Sequence, residues 1–168
     1  MRHKKFSSVG NDLTDEVKNG HTYITDRKID NIVIHCSATP NQRDHDAQDI
    51  DNMHINRWGY NSGCGYHYVI KLDGSIEKGR WADYAGAHVR GHNKYTIGIC
   101  YIGGVDNNLK SLFDQATDKQ LESMHKLVDI LCNAYNLKKD DVLGHNEFKG
   151  VHKDCPCLTM DEFRTNLQ

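Results

Sequence analysis

The stretch NIVIHCSA, residues 31–38, is the part of the sequence that decides the fold. It gathers β-branched and apolar residues in a short run, which indicates a buried strand. His35 lies near the carboxyl end of this run, and Pro40 soon follows it. A buried strand needs neighbouring strands and covering helices, so the flanking sequence should supply both.

Four further segments have strand character. Residues 66–71 (YHYVIK) and 95–102 (YTIGICYI) are apolar runs of strand length, and residues 141–144 form a shorter one. Asp73-Gly74 is a strong hairpin signal, which makes residues 75–78 the return strand of residues 66–71.

Helical periodicity separates these strands. Residues 46–58 carry apolar side chains at helical spacing, and residues 121–135 form one apolar face of a longer helix. Residues 117–120 match a capping box before that helix, and residues 159–162 match a second one that would open a terminal helix. We therefore predict a single α/β domain with a central mixed β-sheet flanked by helices.

Length and composition favour one soluble globular domain. The chain has 168 residues, of which 38% are hydrophobic and 26% charged, and its formal net charge is -2. We place a polar N-terminal arm at residues 1–29 and the domain at residues 30–168. The balanced charge argues against a nucleic-acid partner.

Membrane and export signals are not apparent in the sequence. No run of about 18 apolar residues occurs, so we expect no membrane insertion. The first twenty residues are basic in part but contain no apolar segment of signal-peptide type. We expect a cytoplasmic monomer that is later released to its site of action.

Histidine and cysteine are frequent, with 11 and 6 copies. Most of the cysteines should be free thiols. His35 and His145 each lie at a predicted strand end, and Cys155 follows in a loop. Imidazole nitrogen and thiolate sulfur are zinc ligands, and a catalytic zinc commonly has three of them. The spacing alone leaves ordinary core or surface roles open for each residue.

Four segments, in order, carry a family resemblance: residues 32–39 (IVIHCSAT), 65–80 (GYHYVIKLDGSIEKGR), 86–104 (GAHVRGHNKYTIGICYIGG) and 143–156 (LGHNEF to KDCP). Together they resemble the type 2 N-acetylmuramoyl-L-alanine amidases, a family that includes small phage endolysins and peptidoglycan recognition proteins. The resemblance implies peptidoglycan as partner and a zinc cleft on one side of the sheet.

The resemblance also implies roles for individual residues. One Zn²⁺ per chain would be bound by His35, His145 and Cys155, with Tyr66 and Lys153 as catalytic residues. The implied reaction hydrolyses the amide between the lactyl group of N-acetylmuramic acid and L-alanine, leading to cell-wall lysis. Lys153 would stabilise the developing oxyanion.

Substrate contacts are predicted for His88, Asn93 and Trp58. Bracing of the loop is the alternative for His88 and Asn93, and a core position is the alternative for Trp58. His67 is expected to be a buried structural histidine or a partner of the metal ligands. His54 is expected to pack on its helix or face solvent.

Two other functions compete with the amidase. One is a recognition module that binds peptidoglycan without hydrolysis, although such relatives typically lack the cysteine ligand that Cys155 supplies. The other is a structural zinc site in which Cys157 completes a four-ligand set with His35, His145 and Cys155. Cys157 and a slightly long loop before Cys155 are the two departures from the family pattern.

Overall fold

A computed structural model describes residues 8–9, 25–59 and 63–168 of the chain. Within these residues the strands are β1 (Ser8–Val9), β2 (Asn31–Cys36), β3 (Thr39–Pro40), β4 (Tyr68–Ile70), β5 (Ile76–Lys78), β6 (Thr96–Tyr101), β7 (Gly104–Val105) and β8 (Val142–Gly144). The α-helices of the same residues are α1 (Ala47–Trp58), α2 (Asp118–Tyr135) and α3 (Met160–Thr165). The six-stranded central sheet has the order β1-β5-β4-β6-β2-β8, and β3 pairs with β7 in a separate ribbon.

The sheet is mixed, as predicted. Strand β2 is parallel to both of its neighbours, so that Ile32 pairs with Ile97 of β6 and with Val142 of β8. Strand β4 is also parallel to β6, whereas β5 is antiparallel to β4. Because β2 and β8 run the same way side by side, their carboxyl ends reach the same edge of the sheet.

The hairpin predicted at Asp73-Gly74 is confirmed, with β4 and β5 as its two strands. Gly74 has a φ of +83°, which favours glycine at this turn. Strand β4 begins two residues later than predicted, at Tyr68. His67 nevertheless continues the pairing, because its N–H donates to the carbonyl of Gly98.

Helices cover both faces of the sheet. Ile32 and Ile34 are buried in the main core together with Leu127 and Leu131 of α2. Val69 belongs to a second cluster with Ile50 of α1. Successive strand residues point to opposite faces, which is why Val69 packs on α1 while its neighbours in β4 join the α2 core.

Of the two predicted capping boxes, the structure contains one. The box before α2 is confirmed, because the Thr117 side chain accepts from the Gln120 N–H and the Gln120 side chain accepts from the Thr117 N–H. The box before α3 is wrong: Thr159 makes no side-chain cap. Its hydroxyl instead donates to Oδ2 of Asp114 at 2.7 Å.

The N-terminal arm predicted at residues 1–29 lies mostly outside the described residues. In its described part, β1 pairs antiparallel with β5. Ile29 joins the main core, and Arg27 donates from Nε to the carbonyl of Ala82 at 2.7 Å. Residues 25–29 thus already contact the domain.

All six cysteines are free thiols, as predicted. Among the helices of the described residues, none combines the length and apolar character needed to cross a bilayer.

Candidate metal centre and its surroundings

The three side chains predicted to bind a metal converge at one edge of the sheet. His35 comes from β2, His145 opens the turn after β8, and Cys155 lies in the loop that follows. Their ligand atoms all lie within 4.8 Å of one another. Nδ1 of His35 is 3.6 Å from Sγ of Cys155, and the rings of His35 and His145 are 4.6 Å apart between centroids.

The parallel sheet explains how distant parts of the sequence meet here. The paired strands β2 and β8 deliver His35 and His145 to the same edge. The N–H of Asn146 donates to the carbonyl of Cys155 at 2.8 Å, which closes the intervening loop at its base. The backbone N–H of Cys36 points at the Cys155 sulfur, 3.4 Å away. Cys155 is thereby held beside the end of β2.

The donor set fits zinc. Two imidazoles and one thiolate are characteristic ligands of this metal, and three protein ligands leave a fourth tetrahedral position for water or substrate. Tetrahedral zinc with ordinary bond lengths separates a nitrogen ligand from a sulfur ligand by about 3.6 Å. The separation between His35 Nδ1 and Cys155 Sγ has this value.

Cys157 is turned away from this cluster. It is buried, and its sulfur lies 3.8 Å from the sulfur of Cys36. The hydrogen bond with Cys36 is the main cause that raises the pKa of the Cys157 thiol. Of the described residues, the cluster of candidate ligands contains His35, His145 and Cys155 without Cys157. The arrangement therefore does not support a closed four-ligand site.

The electrostatics of the site favour neutral imidazoles. Burial lowers the pKa of His35 well below its usual value, and the charges of His145 and Lys153 lower it further. Burial also lowers the pKa of His145, again with a contribution from Lys153. A neutral ring offers the lone pair that a metal requires. Lys153 itself is exposed, and its charge contributes to the lowered pKa values of both histidines.

Tyr66 lies on the same side of the sheet edge, with its ring centroid 5.0 Å from that of His35. Burial is the main cause that raises its pKa well above the usual value for tyrosine, followed by the neighbouring Cys100. The phenol therefore keeps its proton and remains a hydrogen-bond donor.

Two residues of α1 hold the segment that leads into Tyr66. Nδ1 of His54 accepts from the N–H of Gly65 at 2.9 Å, and Asp51 accepts from the N–H of Cys64 at 2.8 Å. His54 is only 9% exposed, so of its two predicted positions the structure supports packing and not exposure to solvent. The sequence pattern did not reveal this bracing role, because both partners are backbone groups.

The three residues predicted to touch substrate lie in different environments. Trp58 is 55% exposed at the end of α1. The side-chain oxygen of Asn93 accepts from the N–H groups of His88 and Val89, so it braces its loop. His88 is buried, and its Nδ1 lies 2.9 Å from Nε2 of His35. Trp58 is thus the one of the three that presents an open surface, and the substrate contacts remain predictions.

His67 has a structural role, one of the two predicted for it. Its Nδ1 accepts from the N–H of Gly98 at 2.9 Å, and its Nε2 lies 3.0 Å from the carbonyl of Tyr84. Both ring nitrogens therefore have backbone partners, and burial lowers the pKa of the ring to about 4.

Comparison with known proteins connects this arrangement to one family. The family described as N-acetylmuramoyl-L-alanine amidase matches residues 25–157. The endolysin of Escherichia phage T7 is 36% identical over 110 residues, which cover 63% of this chain and 68% of that protein. Peptidoglycan-recognition protein 2 of Holotrichia diomphalia is 32% identical over 103 residues, covering 58% of this chain and 51% of that protein.

The fold is also similar to solved structures. The N-acetylmuramoyl-L-alanine amidase LysC from Clostridium intestinale superposes with a TM-score of 0.68 and 30% sequence identity. The superposition covers 84% of this chain and 87% of the other. The similarity in fold therefore extends over most of both chains.

Proposed function

The chain belongs to the N-acetylmuramoyl-L-alanine amidase family, and from this premise we propose that it is a zinc-dependent amidase acting on peptidoglycan. The bond cleaved is the amide between the lactyl group of N-acetylmuramic acid and L-alanine. The observation that carries this proposal is the convergence of His35, His145 and Cys155 within 4.8 Å beside Tyr66.

His35, His145 and Cys155 would hold one zinc ion. When bound, zinc supplies a Lewis acid and lowers the pKa of water to roughly 7. His35 and His145 keep their lone pairs available because their pKa values are lowered. The loop closure between Asn146 and Cys155 keeps the Cys155 sulfur at the sheet edge.

Lys153 and Tyr66 act on the substrate carbonyl in this proposal. Negative charge develops on the amide oxygen as the carbonyl carbon becomes tetrahedral, and a fixed cation stabilises that charge. The Lys153 ammonium supplies the cation. The Tyr66 hydroxyl, protonated because burial raises its pKa, donates a hydrogen bond to the same region.

The biological role that we propose is degradation of the bacterial cell wall, as the name endolysin describes for the phage T7 relative. The protein would accumulate in the cytoplasm as a monomer and act after release to the wall. A module that binds peptidoglycan without cutting it is the competing function. Cys155 favours the enzyme, because it completes the ligand set that hydrolysis needs.

One experiment separates these functions. The purified protein is incubated with defined muropeptides, with and without a chelator, and the products are identified by mass spectrometry. The amidase yields a stem peptide with a free N-terminal L-alanine and a glycan without peptide. The chelator should abolish the reaction and added zinc should restore it. Binding without products would support the recognition module, and new reducing sugar ends without free L-alanine would indicate a glycosidase.

A further inference from the structure

We propose that His88, with Thr96 behind it, is a positioning residue that fixes which ring nitrogen of His35 carries the hydrogen. The inference rests on the proposed zinc function and deepens it. His88 is 8% exposed and Thr96 2% exposed, so neither offers a surface to peptidoglycan. Both act through His35, whose Nδ1 faces Cys155.

The Thr96 hydroxyl sets the direction of the hydrogen bonds that run from Thr96 through His88 to His35. The Thr96 hydroxyl donates to the carbonyl of His92 at 3.1 Å, and a carbonyl can only accept. Oγ1 of Thr96 is therefore free to accept from Nε2 of His88, which lies 3.2 Å away. A neutral imidazole has one donor and one acceptor nitrogen, so Nδ1 of His88 is then an acceptor.

The same reasoning fixes the hydrogen position on His35, the proposed metal ligand. Nε2 of His35 lies 2.9 Å from the His88 acceptor and must donate to it. With its hydrogen on Nε2, His35 presents an unprotonated Nδ1 toward the sulfur of Cys155. Hydrogen bonding by the second ring nitrogen of a metal-bound histidine commonly orients the ring and sets its tautomer.

Two glycines leave the space that the His88 ring occupies. A Cβ atom at Gly98 would lie 2.8 Å from Cγ and Cδ2 of His88, and one at Gly86 would collide with Cδ2. These two glycines come from β6 and from the loop before it, and together they make room for the imidazole. The side chain of Asn93 holds the backbone N–H of His88 at 2.8 Å.

A first experiment reads the hydrogen position directly in the zinc-loaded full-length chain. Long-range ¹H–¹⁵N correlation spectra distinguish the two neutral tautomers of a histidine ring. We expect His88 to carry its hydrogen on Nε2 and to have a bare Nδ1. A hydrogen on Nδ1 of His88 would overturn the proposal, because that nitrogen could then not accept from His35.

A second experiment compares two substitutions of nearly equal shape. Thr96→Val keeps the β-branched form that suits a strand but removes the hydroxyl, whereas Thr96→Ser keeps the hydroxyl. Loss of the partner that orients a metal-bound histidine weakens metal binding by about 10- to 100-fold, and Thr96→Val would release His88 from that role. We expect this loss in Thr96→Val and affinity equal to wild type in Thr96→Ser, measured by competition with a chromophoric zinc chelator.

The outcomes separate this inference from the proposed function. If the wild-type protein itself binds no zinc, the proposed function fails. If wild type binds zinc and Thr96→Val binds it equally well, the positioning role is refuted while the proposed function stands. Circular dichroism melts of each variant establish that it is folded, and the tautomer measurement on wild type decides the question if Thr96→Val does not fold.

Discussion

Replacement of His54 by glutamine should make the stability of the protein less sensitive to acid. Burial is the main cause that lowers the pKa of this ring from 6.5 to about 4 in the folded protein, and nearby Arg80 and Arg57 add to the effect while Asp51 opposes it. The unfolded chain takes up the proton near pH 6.5, whereas the folded protein resists it until about pH 4. The stabilisation that the neutral His54 ring contributes to the folded protein is therefore fully present above pH 6.5 and is lost as the pH falls toward 4.

The size of the effect follows from these two pKa values. Between pH 7 and pH 5, proton uptake by the unfolded state lowers the free energy of unfolding by about 2 kcal/mol for this one group. Protonation also removes the Nδ1 lone pair that accepts from Gly65. Glutamine at position 54 does not titrate, so the His54→Gln variant should lose about 2 kcal/mol less than wild type over the same pH interval.

Urea unfolding of both proteins at pH 7 and pH 5 gives the loss of unfolding free energy over this interval for each protein. The difference between the two losses is the predicted quantity. The same zinc concentration is kept in all four samples, so that metal release contributes equally to both proteins. A difference of about 2 kcal/mol corresponds to about 1 M in the urea midpoint for a typical slope of about 2 kcal/mol/M. Equal pH dependence in wild type and His54→Gln would refute the reasoning, since the ring would then titrate alike in both states.

Three further predictions concern the metal, the chemistry and the core. Cys155→Ser should reduce the zinc content below one ion per chain in metal analysis, whereas Cys157→Ser should leave it unchanged. The reverse result would mean that Cys157 is the sulfur ligand. Lys153→Ala and Tyr66→Phe should each lower turnover by about 100- to 1000-fold with zinc retained; full activity in both would mean that the catalytic groups lie elsewhere. Gln120→Leu should lower the free energy of unfolding by about 1–3 kcal/mol in a urea titration, because it removes the side-chain hydrogen bonds to the buried backbone carbonyls of Ile70 and Ile102. Unchanged stability would contradict that account.

The strands and the long helix could be predicted because their signals are local. Residues 32–36 are a continuous buried run, and the hairpin at Asp73-Gly74 depends on two adjacent residues. The helix α2 has both a capping box and one apolar face. Each of these features appears within a short window of sequence, where periodicity and turn chemistry apply.

Features that depend on distant partners were not predictable in the same way. The capping motif at Thr159 matches the local pattern, but Asp114, 45 residues away, takes its hydroxyl. The ribbon of β3 and β7 has two residues in each strand, too few for any period to appear. The burial of His88 depends on space left by Gly98 in another segment. The resemblance predicted the candidate ligand residues, whereas the common location of His35 and His145 follows from the parallel pairing of β2 with β8.

The closed base of the loop between His145 and Cys155 has a consequence for protein engineering. The backbone hydrogen bond from Asn146 to Cys155 ties the two ends of the loop together, and Gly150 between them is exposed. Doubling the length of a flexible loop adds only about 0.6 kcal/mol of closure entropy. A peptide or a small domain grafted at Gly150 should therefore leave the metal centre intact, which makes this tip an attachment point for a module that directs the protein to a chosen surface.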